Sequence, residues 1–103
     1  MTVSFYGRIL DTTPAEDFSL IAIPDPQYYA STYPAIYNAQ MDWVVANKTS
    51  RNIPFVVSLG DNVNTYATAL EWTNALNAWN RLTQGGVRYG ITLGNHDGAP
   101  NAT

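Results

Sequence analysis

The chain has 103 residues with 46% hydrophobic content, enough for one small domain. Five Lys+Arg against eight Asp+Glu give a net charge of -3, which leaves no basic patch for a nucleic-acid backbone or an anionic membrane. The lack of cysteine excludes disulfide frameworks, thiolate metal sites, iron–sulfur clusters and cysteine nucleophiles, and no apolar run reaches the ~18 residues of a membrane span.

Residues 1–17 read as a lead-in, with a short strand expected near Val3–Tyr6 and a polar turn from Asp11 to Asp17. The N-terminus has no basic region, long apolar core or small-residue cleavage site, so it is not a signal peptide. The low charge and many Asn, Thr and Tyr lean towards an exported parent, whose signal would lie upstream of Met1. Glycosylation sequons at Asn47 and Asn101 carry little weight in so Asn- and Thr-rich a chain.

Phe18-Ser19-Leu20-Ile21-Ala22-Ile23 is a short apolar run closed by Pro24, which predicts a buried strand. A helix is expected from Thr32–Pro34, because proline suits a first turn. Tyr33, Ile36, Tyr37, Gln40, Met41, Trp43, Val44 and Val45 follow at helical spacing. The helix should fade over Lys48–Asn52, where Asn52 can take the left-handed conformation of a helix end and Pro54 bars continuation. Phe55–Leu59 is a second buried strand, stopped by Gly60.

Thr68-Ala69-Leu70-Glu71 fits a capping box and starts a second helix. Trp72, Leu76 and Trp79 form one stripe expected to face a sheet. Trp43, Trp72 and Trp79 are expected in the core, and Tyr28 and Tyr29 in the core or at a cleft rim. Gly85-Gly86 ends the helix. Val87, Tyr89, Ile91 and Leu93 then alternate with Arg88, Gly90 and Thr92 as a strand, stopped by Gly94. The order is β-α-β-α-β, an α/β fold with a parallel three-stranded sheet.

Each strand ends in a polar signature: Asp25-Pro26-Gln27, Gly60-Asp61-Asn62-Val63-Asn64, and Gly94-Asn95-His96-Asp97. Asp25 and Asp61 are 36 positions apart, and Asp61 and Asn95 are 34, about one βα unit each. Parallel strands bring all three to one sheet edge, where ligands of open α/β sheets bind. Two carboxylates, a carboxamide and an imidazole converging there suggest a metal site. Aspartate suits hard divalent cations and can bridge two, asparagine adds a neutral oxygen, and an imidazole beside them can donate a proton to a leaving group. The chain contains one histidine, so it cannot by itself complete a mechanism that needs two. Phosphate loops, dinucleotide-binding turns and nucleophile elbows have no match.

In order and spacing these signatures resemble the first three motifs of the calcineurin-like metallophosphoesterases: D-x-H, G-D-x-x-D and G-N-H-D/E. The likeness runs from Phe18 to Asp97, and Gly94-Asn95-His96-Asp97 is its most specific part. The resemblance implies two divalent metal ions, such as Mn, Fe, Zn or Mg. Asp25 would hold the first, Asp61 would bridge both and Asn95 would hold the second. His96 would contact the phosphate and protonate the leaving oxygen, with Asp97 orienting it. The implied reaction is hydrolysis of a phosphate monoester or diester by metal-activated water.

Three features depart from the family pattern. Gln27 stands where the family usually has histidine, a feature of one subgroup, and would be a weaker ligand. Asn64 replaces the second-motif acid. The family's later histidine motifs are absent, so residues 18–103 are expected to be the N-terminal half of an αββα sandwich whose remaining half is missing. The strand order 1-2-3 is expected, since a bridging Asp61 belongs between the other two signatures. Both helices then fall on one sheet face. The alternative reading is a catalytically silent binding or interaction module that keeps the fold and needs a partner to cover its sheet.

Overall fold

A computed structural model gives the structure of the protein over residues 17–98. The strand expected near Val3–Tyr6 lies outside the described residues. Chain order is β1 (Leu20–Ile23), α1 (Gln27–Ser31), α2 (Pro34–Asn47), β2 (Phe55–Ser58), α3 (Ala69–Gln84), β3 (Tyr89–Gly90) and a 3-10 turn at Asn95–Asp97. The strands form one parallel sheet in the order β1-β2-β3, with Leu20 opposite Phe55, Ile23 opposite Ser58 and Val56 opposite Tyr89. The expected α/β class and strand order are both present.

Alternation sorts the strand side chains onto two faces. Ile21, Ile23, Val56 and Tyr89 turn to the helices and join one core with Tyr37, Met41 and Val44 of α2 and Ala75, Ala78, Trp79 and Leu82 of α3. Tyr37, Met41 and Val44 recur at the spacing of one helix face, and that face joins the core. Pro34 opens α2 as expected. Asn52 has φ 48 and receives the Ser19 amide on its carbonyl at 2.9 Å, so the helix-end turn also anchors the start of β1.

The structure corrects several details. α1 has no counterpart among the sequence expectations; it is a single turn built where the Pro26 carbonyl accepts the Tyr29 and Ala30 amides at 3.0 and 3.1 Å. α3 starts at Ala69 without a capping box. Thr68 makes no side-chain cap, and Glu71 turns away to the preceding loop. The buried stripe of α3 is Glu71, Ala75, Ala78, Trp79 and Leu82, so Leu76 points to solvent and Trp72 is only partly covered. The two alanines let α2 and α3 approach closely, and that selects their face over the one carrying Leu76. Trp43 also leaves the core; it lies exposed with the Arg51 guanidinium 5.3 Å from its ring centre. Tyr28 is exposed and Tyr29 half-buried, edge-on to Tyr37. The third strand spans two residues instead of seven, because beyond Gly90 the chain is held by side chains: the Thr92 carbonyl accepts Asn62 Nδ2 at 2.8 Å.

The opposite sheet face carries Leu20, Ala22, Phe55, Val57 and Leu59, and no described segment covers it. Leu20 is 64% exposed and Leu59 56%. Phe55 lies across Gly90, where an added Cβ would meet its ring at 3.2 Å. Contiguous apolar surface of this kind drives association. The purified 103-residue chain is expected to self-associate in sedimentation and to bind an apolar-surface dye. Leu20→Lys combined with Leu59→Lys is expected to lower both while the helical circular dichroism is kept. A dye-negative monomer before substitution would contradict an open face.

Candidate functional site

Because β1, β2 and β3 are parallel neighbours, the loops that follow them leave from the same edge. Asp25 is exposed just past β1, Asp61 half-buried just past β2, and Asn95 exposed at the start of the 3-10 turn after β3. The backbones of Asp25 and Asp61 have φ 45 and φ 50, in the left-handed region that non-glycine residues seldom occupy. Each costs on the order of 1–3 kcal/mol, and such conformations persist only where neighbouring contacts hold them.

For Asp61 those contacts are visible. Its Oδ1 accepts the His96 amide at 2.9 Å. Gly60 precedes it with φ 107, a value only glycine takes readily, so the chain leaves β2 through two consecutive left-handed residues. Gly94 faces the same carboxylate, and any Cβ there would collide with Asp61 Oδ1. The glycines of the second and third signatures therefore allow two loops to touch.

The buried centre of the edge is Asp97, 7% exposed. Its Oδ1 accepts the Val63 amide at 2.9 Å, and its Oδ2 accepts Asn62 Nδ2 and the Gly94 amide, both at 2.9 Å. Asn62, 1% exposed, also accepts the Ser58 hydroxyl at 2.7 Å and donates to the Thr92 carbonyl. The core reaches this network through Tyr37, whose hydroxyl accepts Trp79 Nε1 at 2.9 Å and donates to the Asn62 carbonyl at 3.5 Å. Burial pushes the Tyr37 phenol well above its usual range, with the Trp79 N–H opposing and the Asp97 charge adding to the rise.

Asp97 is thus occupied by two loops, and its expected contact with His96 is replaced by another. His96 Nδ1 lies 2.7 Å from the Asn64 carbonyl. A carbonyl only accepts, so the Nδ1–H donates to it. Asn64 also takes Gln27 Nε2 on its Oδ1 at 3.2 Å, and its amide and that of Thr65 donate to Glu71 Oε1 at 2.8 and 2.9 Å. With its Nε2 bonded, Gln27 keeps Oε1 as an acceptor. Among the described residues no three His, Cys, Asp or Glu side chains gather into a metal-binding group. Of the ligands expected from the sequence, Asp25, Gln27, Asp61 and Asn95, two are of those types, Asp25 and Asp61.

Sequence reasoning missed Asn62, Ser58 and Glu71. Ser58 had a signal: it is the polar residue of Phe55-Val56-Val57-Ser58, at an alternation position that faces the core.

No family model matches the chain. Over 85 residues, 82% of its length, the chain is 38% identical to the uncharacterized protein YvnB of Bacillus subtilis (strain 168). It spans about 7% of the length of that curated relative.

Asp97→Ala is expected to destabilise the fold by about 3 kcal/mol, since it strands buried donors, and Asp97→Asn by about half of that. Urea unfolding followed by circular dichroism measures both. Wild-type stability of Asp97→Ala would contradict the network. Gly94→Ala is expected to cost about 1–3 kcal/mol by displacing Asp61.

Proposed function

We propose that the carboxyl edge is the first half of a metal-dependent phosphoric ester hydrolase site of the metallophosphoesterase kind, on one half of an αββα sandwich. The observation that carries this reading is the pair of left-handed aspartates, Asp25 and Asp61, at the ends of adjacent parallel strands, with the Asn95-His96-Asp97 turn bonded onto the second of them. Strain held at two carboxylates on one edge has a use if the carboxylates must face one ligand.

The donor set fits hard divalent cations. Asp25 and Asp61 supply charged oxygens, and Asn95 and Gln27 Oε1 supply neutral ones. Bound cations would supply charge to polarise a phosphate ester and to activate water. Asp61 keeps Oδ2 for a ligand while Oδ1 holds the His96 amide. His96 has its Nδ1 committed to the Asn64 carbonyl, and its Nε2 has no hydrogen bond among the described residues. In its protonated form that nitrogen can hand a proton to the departing ester oxygen. Asp97 stays in the wall and keeps the loops together. The exposed sheet face fits burial by the other half of such a sandwich, which would also bring the missing imidazole ligands.

With two carboxylates and no second histidine, the 103-residue chain is expected to bind Mn2+ weakly and to turn over p-nitrophenyl phosphate and its diester only slightly. Calorimetric titration should show Asp61→Asn weakening Mn2+ binding by at least about tenfold, or about 1.4 kcal/mol. Binding unchanged by Asp61→Asn would refute the metal reading and leave the alternative, a silent module that keeps the fold.

A further inference from the structure

Glu71 is a buried carboxylate that leaves the expected capping box unformed and stands outside the proposed ligand set. It is 8% exposed, and one of its oxygens takes two consecutive backbone amides, Asn64 and Thr65, at 2.8 and 2.9 Å. Charge-assisted bonds of this kind are short and directional. The residue stands in the first turn of α3, where the helix dipole favours a negative charge. That helix is fixed to the core through Ala75, Ala78, Trp79 and Leu82. The carboxylate is therefore a rigid post, and the turn bonded to it presents the Asn64 carbonyl to His96 Nδ1 at 2.7 Å.

We propose that Glu71 is a positioning residue that holds His96 in the Nδ1–H form, acting through the backbone of Asn64. Free histidine side chains in water favour the opposite, Nε2–H form. Which ring nitrogen carries the proton is set by the hydrogen bonds the ring makes. Here a carbonyl fixed by two amide bonds reverses the preference and leaves Nε2 as the unprotonated nitrogen of the neutral ring. The side chain of Asn64 has a separate task, since its Oδ1 takes Gln27 Nε2. The catalytic meaning of this device rests on the hydrolase reading, whereas the device itself does not.

The chain has one histidine, so its ring nitrogens give a single set of signals. Nitrogen-15 spectra of the labelled 103-residue chain at about pH 9, well above the ordinary imidazole pKa of about 6.5, report the form of the neutral ring. The wild-type ring is expected to show a pyrrole-type Nδ1 and a pyridine-type Nε2. Glu71→Ala should shift both signals towards the water-like Nε2–H pattern. Glu71→Gln, which keeps an acceptor oxygen, should restore the wild-type pattern, and Asn64→Ala, which keeps the carbonyl, should leave it unchanged. Where Glu71→Ala does not fold, Glu71→Asp, one methylene shorter, should show a partial shift.

A wild-type ring in the Nε2–H form overturns the proposal. So does a folded Glu71→Ala or Glu71→Asp protein with the wild-type pattern, or an Asn64→Ala shift as large as that of Glu71→Ala. Calorimetry with Mn2+ on the same samples separates the two readings. An Nδ1–H ring without metal binding would end the hydrolase reading alone, and metal binding with an Nε2–H ring would end this one alone.

Discussion

Asp97 offers its carboxylate to three donors that arrive from two loops: the Asn62 side chain and Val63 amide after β2, and the Gly94 amide after β3. A buried carboxylate with its oxygens engaged is stable, whereas buried amides with no acceptor cost about 1–3 kcal/mol each. The two loops are therefore held as one unit. This unit compensates for the short third strand: two ladder residues would not fix the chain beyond Gly90, and Asp97 and Asn62 fix it instead. It also sets where Asp61 and Asn95 stand relative to each other, because one loop carries each of them.

From that unit the polar contacts run outward in two directions. Towards the core, the Asn62 carbonyl meets the Tyr37 hydroxyl, which Trp79 bonds from α3. Towards solvent, Asp61 receives the His96 amide, and Asn64 receives the His96 ring and the Gln27 amide. Rigid inside and open outside is the arrangement a preorganised ligand site needs, since groups already in place lose little freedom when a ligand arrives.

Much of the frame was legible in the sequence. Short apolar runs bounded by Pro24, Pro54 and Gly60 mark β1 and β2, and Pro34 marks the start of α2. Asn52 took the left-handed conformation its place after a helix suggested. What could not be read was decided by tertiary contact. Glu71 has the local pattern of a cap, but the 64–65 loop offers it two amides at once. Leu76 has the spacing of a core residue, yet Ala75 and Ala78 allow a closer helix contact on the neighbouring stripe. At the site, the three signatures placed Asp25, Asp61, Asn95 and His96 on one edge. The partner of His96 was not legible, because a backbone carbonyl leaves no trace in residue identity. Asn62 was hidden for a related reason: its position within Gly60–Asn64 looks free until both ends of the side chain are seen to be bonded.

Cation binding by the carboxyl edge, between the loops after β1, β2 and β3, is what the proposed hydrolase site requires. Paramagnetic broadening tests it most directly: Mn2+ is added in small amounts to the nitrogen-15-labelled chain, and the loss of each amide signal is followed. The amides around Asp25, Asp61 and Asn95 should vanish first and together, while the exposed Asp42–Arg81 ion pair on the helical side keeps its signals. Broadening that begins at Asp42, or that leaves Asp25 and Asp61 untouched, would contradict it.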